Sequence, residues 1–101
     1  MSEKSIEQYL IKKIKQIDGI ALKFVSPGFT GVPDRLCLLP YGISFFVELK
    51  KEGKDLRSRQ SFVKKQFEKL EFKVFKIDTK LKVEELCNTY QGIINNLQLN
   101  K

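Results

Sequence analysis

The chain has 101 residues, 42% of them hydrophobic, and a formal net charge of +7 at pH 7 with no histidine. That length suits one domain with a modest core, spanning residues 1–101. The basic excess favours a polyanionic partner, since cations that neutralise phosphates release counterions, and the missing imidazole excludes His-ligated zinc and His general bases.

In chain order, Ser5 to Ile17 reads as a helix. Ser5-Ile-Glu-Gln8 fits a capping box, with Ser2 as an alternative cap. Ile6, Leu10, Ile14 and Ile17 form its apolar stripe, and Gly19 is a natural stop. Ile20 to Val25 reads as a first strand, and Ser26 to Pro33 as a Gly- and Pro-rich loop. Asp34 to Leu39 is a second strand, Pro40-Tyr-Gly42 a turn, and Ile43 to Lys50 a third strand. The third strand is apolar on both faces until Glu48, which predicts a central position. A charged loop from Lys51 to Arg57 leads to a second helix, Ser58 to about Leu70. Lys73 to Ile77 is a fourth strand, and Thr79 to about Leu97 a third helix. The order is α-β-β-β-α-β-α, predicting an α/β fold with helices packed on a mixed sheet. Cys37 and Cys87 sit among apolar residues and read as reduced core thiols. The chain has no apolar run near the ~20 residues a membrane span needs. Its N-terminus lacks the apolar region of a signal peptide.

The chemistry concentrates between Gly31 and Lys50. A hairpin sets Asp34, at the start of the second strand, beside Glu48 and Lys50, at the end of the third. Glu48 and Lys50 point to the same face because strand side chains alternate. Asp34 joins them only in one register. Pairing Leu39 with Ile43 around a three-residue turn sets Asp34 opposite Glu48; a two-residue turn would set it opposite Leu49, on the other face. A carboxylate entering so apolar a strand is costly unless a cation compensates it. Two carboxylates and an ammonium at one point suit divalent-metal phosphodiester chemistry. Glu7 lies at the edge of the first helix's apolar face, and Gln60 shares a face with Val63 and Phe67 of the second. Lys51, Lys54, Arg57, Arg59, Lys64 and Lys65 would form a basic rim that contacts DNA phosphates.

These residues resemble the VRR-NUC domains of the PD-(D/E)XK nuclease superfamily, especially small stand-alone phage members. The resemblance runs through Glu7, Lys23-Phe24, Ser26-Pro-Gly28, Gly31-Val-Pro-Asp-Arg-Leu36, Phe46-Val-Glu-Leu-Lys50 and Gln60. It implies the restriction-endonuclease-like core, α-β-β-β-α-β, with one further helix. It departs at Leu70-Glu-Phe72, where the family usually has a glycine before its fourth strand. By this resemblance Asp34 and Glu48 would be metal ligands together with the Leu49 carbonyl, and Glu7 would add a ligand or hold a metal-bound water. Lys50 would generate the nucleophile or stabilise charge at phosphorus, and Gln60 would help orient it. The implied cofactor is Mg²⁺, with Mn²⁺ able to substitute. The implied reaction is endonucleolytic hydrolysis of branched DNA, leaving a 5′-phosphate and a 3′-hydroxyl, by a homodimer that cuts four-way (Holliday) junctions. A cytoplasmic location follows, in a bacterial host cell if the protein is phage-encoded. Two alternatives stay open: a catalytically silent DNA-binding module, and a nuclease of this fold acting on flap, duplex or RNA substrates. No residue recognisably reads a base or a 2′-hydroxyl.

Overall fold

The first helix begins one turn earlier than the Ser5 capping box suggests. In the computed structural model, which describes residues 2–101, α1 spans Glu3–Gln16. The Ser2 side chain accepts the Ser5 N–H at 3.1 Å, so Ser2 is the cap and Ser5 lies inside the helix. At the other end Asp18, not Gly19, takes the left-handed conformation, with φ 65°. Asp tolerates that region because its short polar side chain can bond locally.

Four strands follow: β1 (Ile20–Lys23), β2 (Arg35–Leu39), β3 (Ile43–Leu49) and β4 (Val74–Ile77). They lie in the order β1-β2-β3-β4; β4 runs parallel to β3, and the other neighbours are antiparallel. β3 is therefore central, as its apolar run predicts. Helix α2 (Ser58–Lys69) carries the chain across from β3 to β4, and α3 (Lys80–Leu99) follows. The α/β order read from the sequence is the observed one.

One sheet face carries Ala21, Cys37, Phe45, Val47 and Leu49, and packs on Ile6, Leu10 and Ile14 of α1 and Val83, Cys87 and Tyr90 of α3. Phe45 stacks on Tyr90, with ring centroids 4.5 Å apart. Both cysteines are free and buried here, and burial pushes the Cys37 thiol up to about 12. The other face carries a smaller aromatic cluster, in which Phe46 meets Phe67 of α2 at 4.9 Å and Phe24 at 5.3 Å. α2 leaves the β1–β2 end of this face bare, so Ile20, Leu22 and Leu38 are exposed.

Two connections fix the site's geometry. Leu39 pairs with Ile43, and Pro40–Gly42 form a three-residue 3-10 turn between them. This is the register that sets Asp34 opposite Glu48. Both Tyr41 (φ 66°) and Gly42 (φ 70°) adopt the left-handed conformation there. Before β4, Glu71 has φ 70°, at the place where the sequence departs from the usual glycine. An ordinary residue has been fitted into a glycine conformation, and the turn is kept.

Candidate active site

Asp34 precedes β2, and its carbonyl accepts the Phe24 N–H at 2.9 Å, which extends the β1–β2 ladder to this residue. Ahead of it, the loop is clamped to α2. Gly31 has φ +84°, and a Cβ there would stand 2.6 Å from Arg59 Cγ and 3.1 Å from the Arg59 carbonyl. Only glycine allows both that backbone conformation and that close approach. Arg59 Nε in turn donates to the Thr30 carbonyl at 3.1 Å. Pro33 is fully buried. Asp34 thus emerges from a braced segment.

Its side chain reaches across to the next strand. Asp34 Oδ2 accepts the backbone N–H of Leu49 at 2.8 Å. Glu48, only 3% exposed, lies close enough to Asp34 for the two carboxyl groups to act on each other. Burial first, then the contact with Asp34, pushes Glu48 up to about 8, while Lys50 pulls it down and Glu3 of α1 adds to the rise. A pKa raised this far favours the protonated Glu48 in the cation-free site. Gln60 Nε2 donates to Glu48 Oε1 at 3.2 Å. The amide's oxygen accepts the Arg57 N–H at 2.9 Å, so Gln60 closes the first turn of α2 and orients Glu48 together. Lys50 is buried, and its backbone N–H is tied to the Ile77 carbonyl at 2.9 Å. Its ammonium enters no ion pair or side-chain hydrogen bond among the described residues.

Asp34, Glu48, Lys50 and Gln60 therefore converge at the end of the β2–β3 hairpin. Glu7 does not join them. Its carboxylate accepts Arg35 Nε at 3.0 Å, and Arg35 also donates to the Ala21 carbonyl at 3.2 Å. Arg35 follows Asp34 directly, so strand alternation turns it toward the opposite face, where α1 packs. Within α1 it is Glu3 whose charge is felt at Glu48. Neither Arg35 nor Glu3 was singled out from the sequence. Arg35 could have been, because its place beside Asp34 fixes its side of the sheet.

The donor set suits a hard divalent cation. Among the described residues no three Asp, Glu, Cys or His side chains gather as a ligand cluster. What is present is a close carboxylate pair beside the Leu49 main chain. Mg²⁺ is usually held by one or two carboxylates and keeps several waters, so two acids and a carbonyl are sufficient for it.

Of the expected basic rim, Lys51, Lys54 and Arg57 lie exposed on the loop after β3. That loop is fastened by Asp78, whose carboxylate accepts the Gly53 N–H at 2.9 Å and Lys82 Nζ at 2.7 Å. Lys64 pairs with Glu68 at 2.9 Å, Lys65 is exposed, and Arg59 is engaged by the loop as described.

Comparison with known proteins fits this picture. No protein-family model matches the chain. A solved structure described as a VRR_NUC domain superposes with a TM-score of 0.82 at 28% identity, over 87% of this chain and 96% of that one. The shared fold supports a VRR-NUC nuclease, and the motif is consistent with the PD-(D/E)XK superfamily. In sequence, the chain is 57% identical over 51 residues to "Putative nuclease p44" of Acyrthosiphon pisum secondary endosymbiont phage 1. That match spans half of this chain and 55% of the phage protein.

Proposed function

We propose that the protein is a Mg²⁺-dependent endonuclease of branched DNA, acting as a homodimer that resolves four-way junctions. The observation that carries the catalytic part is the Asp34–Glu48 pair, with Gln60 bonded to Glu48 and Lys50 beside it in no ion pair among the described residues. A metal ion bound there would neutralise charge on the scissile phosphate and lower the pKa of a water. Asp34 and Glu48, with the Leu49 carbonyl, are the groups that would hold it.

The chain's own residues supply the rest. The Leu49 N–H fixes one Asp34 oxygen and leaves the other free to ligate. Gln60 holds Glu48 in one rotamer, so little reorganisation remains at the moment of reaction. Lys50 carries a preorganised positive charge in a site screened from bulk water, where it stabilises negative charge developing at phosphorus. Glu7 is occupied by Arg35 and would reach a metal-bound water only if that pair opened.

The dimer reading draws on a surface. Ile20 pairs with Leu38 and Leu22 with Leu36 across β1 and β2, on the face that α2 leaves bare. These positions carry no charge in a chain of net +7. Two copies that repel elsewhere can approach here, and contiguous exposed apolar patches mark interaction sites. Asp34 and Glu48 share this sheet face, so a two-fold axis through it would bring both carboxylate pairs to one side.

The test is incubation with Mg²⁺ and matched duplex, single-stranded, flap and four-way-junction DNAs, and with RNA. Symmetric paired nicks in the junction, absent in Glu48→Ala, are the expected result. Lys50→Ala should cut at least a hundred-fold more slowly yet bind junctions within a few-fold of wild type in Ca²⁺. Binding without cleavage by the wild type in Mg²⁺ and Mn²⁺ would leave the silent DNA-binding module. Preferential cleavage of flap, duplex or RNA would reassign the substrate.

A further inference from the structure

We propose that Phe62, with Phe29 and the solvent face of α2, forms a stacking platform for an unstacked nucleobase, beside the loop that ends at Asp34. The proposal rests on the nuclease reading above and deepens it by naming what the enzyme grips.

Phe29 and Phe62 are 39% and 51% exposed. The Arg59 guanidinium lies 5.1 Å from the Phe29 centroid and 5.3 Å from the Phe62 centroid, and its Nε is tied to the Thr30 carbonyl. Each ring thus packs against a fixed cation, which limits its motion while leaving much of its surface in solvent. Side chains ordered before binding lose less entropy on binding.

Beyond Phe62 the outer surface of α2 opens into a shallow hollow of about 550 Å³, lined by Phe62, Lys65, Gln66, Glu68 and Lys69. Glu68 is already paired with Lys64. Lys65 and Lys69 enter no ion pair among the described residues. An aromatic face flanked by two free ammonium groups matches a base and its neighbouring phosphates, the combination that single-strand binding grooves use. A second copy of this chain is a poor occupant, since it would bring its own Arg59, Lys65 and Lys69 against these.

The platform is coupled to the chemistry. Phe29 lies on the loop that ends at Asp34, and Gly31 fastens that loop to Arg59. The neighbour of Arg59, Gln60, bonds Glu48. One turn of α2 therefore braces both the stacking rings and the carboxylate pair. A base inside a continuous duplex has both faces covered and cannot use Phe62. A base at a branch, flap or single strand can. Selectivity for DNA structure then needs no reading of base edges, in keeping with the lack of any base-reading residue.

The test measures affinity in Ca²⁺ for a single-stranded oligodeoxynucleotide, a flap and a blunt duplex of equal length, each with 2-aminopurine at the cleavage position. Phe62→Ala should weaken single-stranded and flap binding by about five- to a hundred-fold, the scale of one lost stacking contact. Duplex binding should change less than about two-fold. Phe62→Trp should restore affinity, and its emission should be quenched by the single strand. Equal losses on all three DNAs, or none, would overturn the platform. Circular dichroism melting of each variant checks the fold, and the Trp variant keeps the test decisive should the Ala variant melt early. The two readings fail separately: wild type that shows this preference but cleaves nothing refutes the nuclease, whereas cleavage with no effect of either Phe62 substitution on binding refutes the platform.

Discussion

The Asp34 carboxylate accepts the backbone N–H of Leu49 at 2.8 Å, so the first acid of the motif is bonded to the peptide that follows the second. Asp34 and Glu48 therefore form one unit. The bond separates two roles of Asp34 that substitution can test. Asp34→Asn keeps an oxygen to accept the Leu49 N–H and removes the carboxylate charge that raises Glu48, so the fold should be about as stable as wild type. Cleavage should fall about a thousand-fold, the scale of losing one preorganised electrostatic group. Asp34→Ala leaves the Leu49 N–H without its partner, which costs about 1–3 kcal/mol. Thermal melting and cleavage assays on both variants separate the effects. Equal stability of the two would show that the bond contributes nothing.

The raised Glu48 gives the metal-free protein a defined pH dependence. Its carboxyl titrates near 4.5 when unperturbed and is pushed up to about 8 in the fold. The folded state therefore binds the proton more tightly than the unfolded state. The associated stability is fully present below about pH 4.5 and is lost as pH rises through about 8. In chelator, the melting temperature should fall between pH 5 and pH 8, and Glu48→Gln should flatten that slope. Ca²⁺ or Mg²⁺ should raise the melting temperature more at pH 8 than at pH 5, because at the lower pH the ion must displace a proton. A metal effect that is independent of pH would place the ion elsewhere.

Much of the fold was legible because periodicity and turn chemistry agree along the chain. The unbroken apolar run Phe45-Phe46-Val47 before Glu48 identified a central strand; Pro40-Tyr-Gly42 allowed two registers, and the structure takes the three-residue turn that joins Asp34 to Glu48. Other features were hidden where several residues could serve one purpose. Ser2 and Ser5 are both competent caps, and only the packing of the helix chooses Ser2. Asp18 took a conformation for which Gly19 stood ready. At the site, the hairpin pair followed from local pairing. The partner of Glu7 depended on how α1 docks on the sheet, which no local pattern states. The double duty of Arg59, facing Thr30 and two phenylalanines, joins segments distant in sequence and was likewise out of reach.

Glu71 offers a test of backbone strain remote from the chemistry. It holds φ 70° between α2 and β4, and its side chain is exposed. A left-handed conformation costs a residue with a Cβ roughly 1–2 kcal/mol, while glycine pays only part of that back in unfolded-chain entropy. Glu71→Gly should therefore stabilise the protein by about 0.5–1 kcal/mol, several degrees in melting temperature for a domain of this size. Cleavage should not change. A loss of stability would mean that the Glu71 side chain supports the turn in a way its exposure does not suggest.

Assembly is tested at the bare end of the sheet. If Ile20, Leu22, Leu36 and Leu38 meet their counterparts across a two-fold axis, a carboxylate introduced there must be buried against a second one. That is costly without a compensating cation. In the lone protomer the same position is solvent, since Leu22 and Leu38 are each 40% exposed. Leu22→Glu and Leu38→Glu should therefore leave the folded monomer intact and abolish the dimer. Light scattering should report about twice the 11.8 kDa protomer for wild type and a single protomer for the variants. Their cleavage of the junction should change from paired nicks to single, uncoordinated ones, because each protomer carries one site. A wild type that stays near 11.8 kDa at all concentrations, while still cutting in pairs, would move assembly onto the DNA. Unchanged dimers in both variants would exclude this face as the interface.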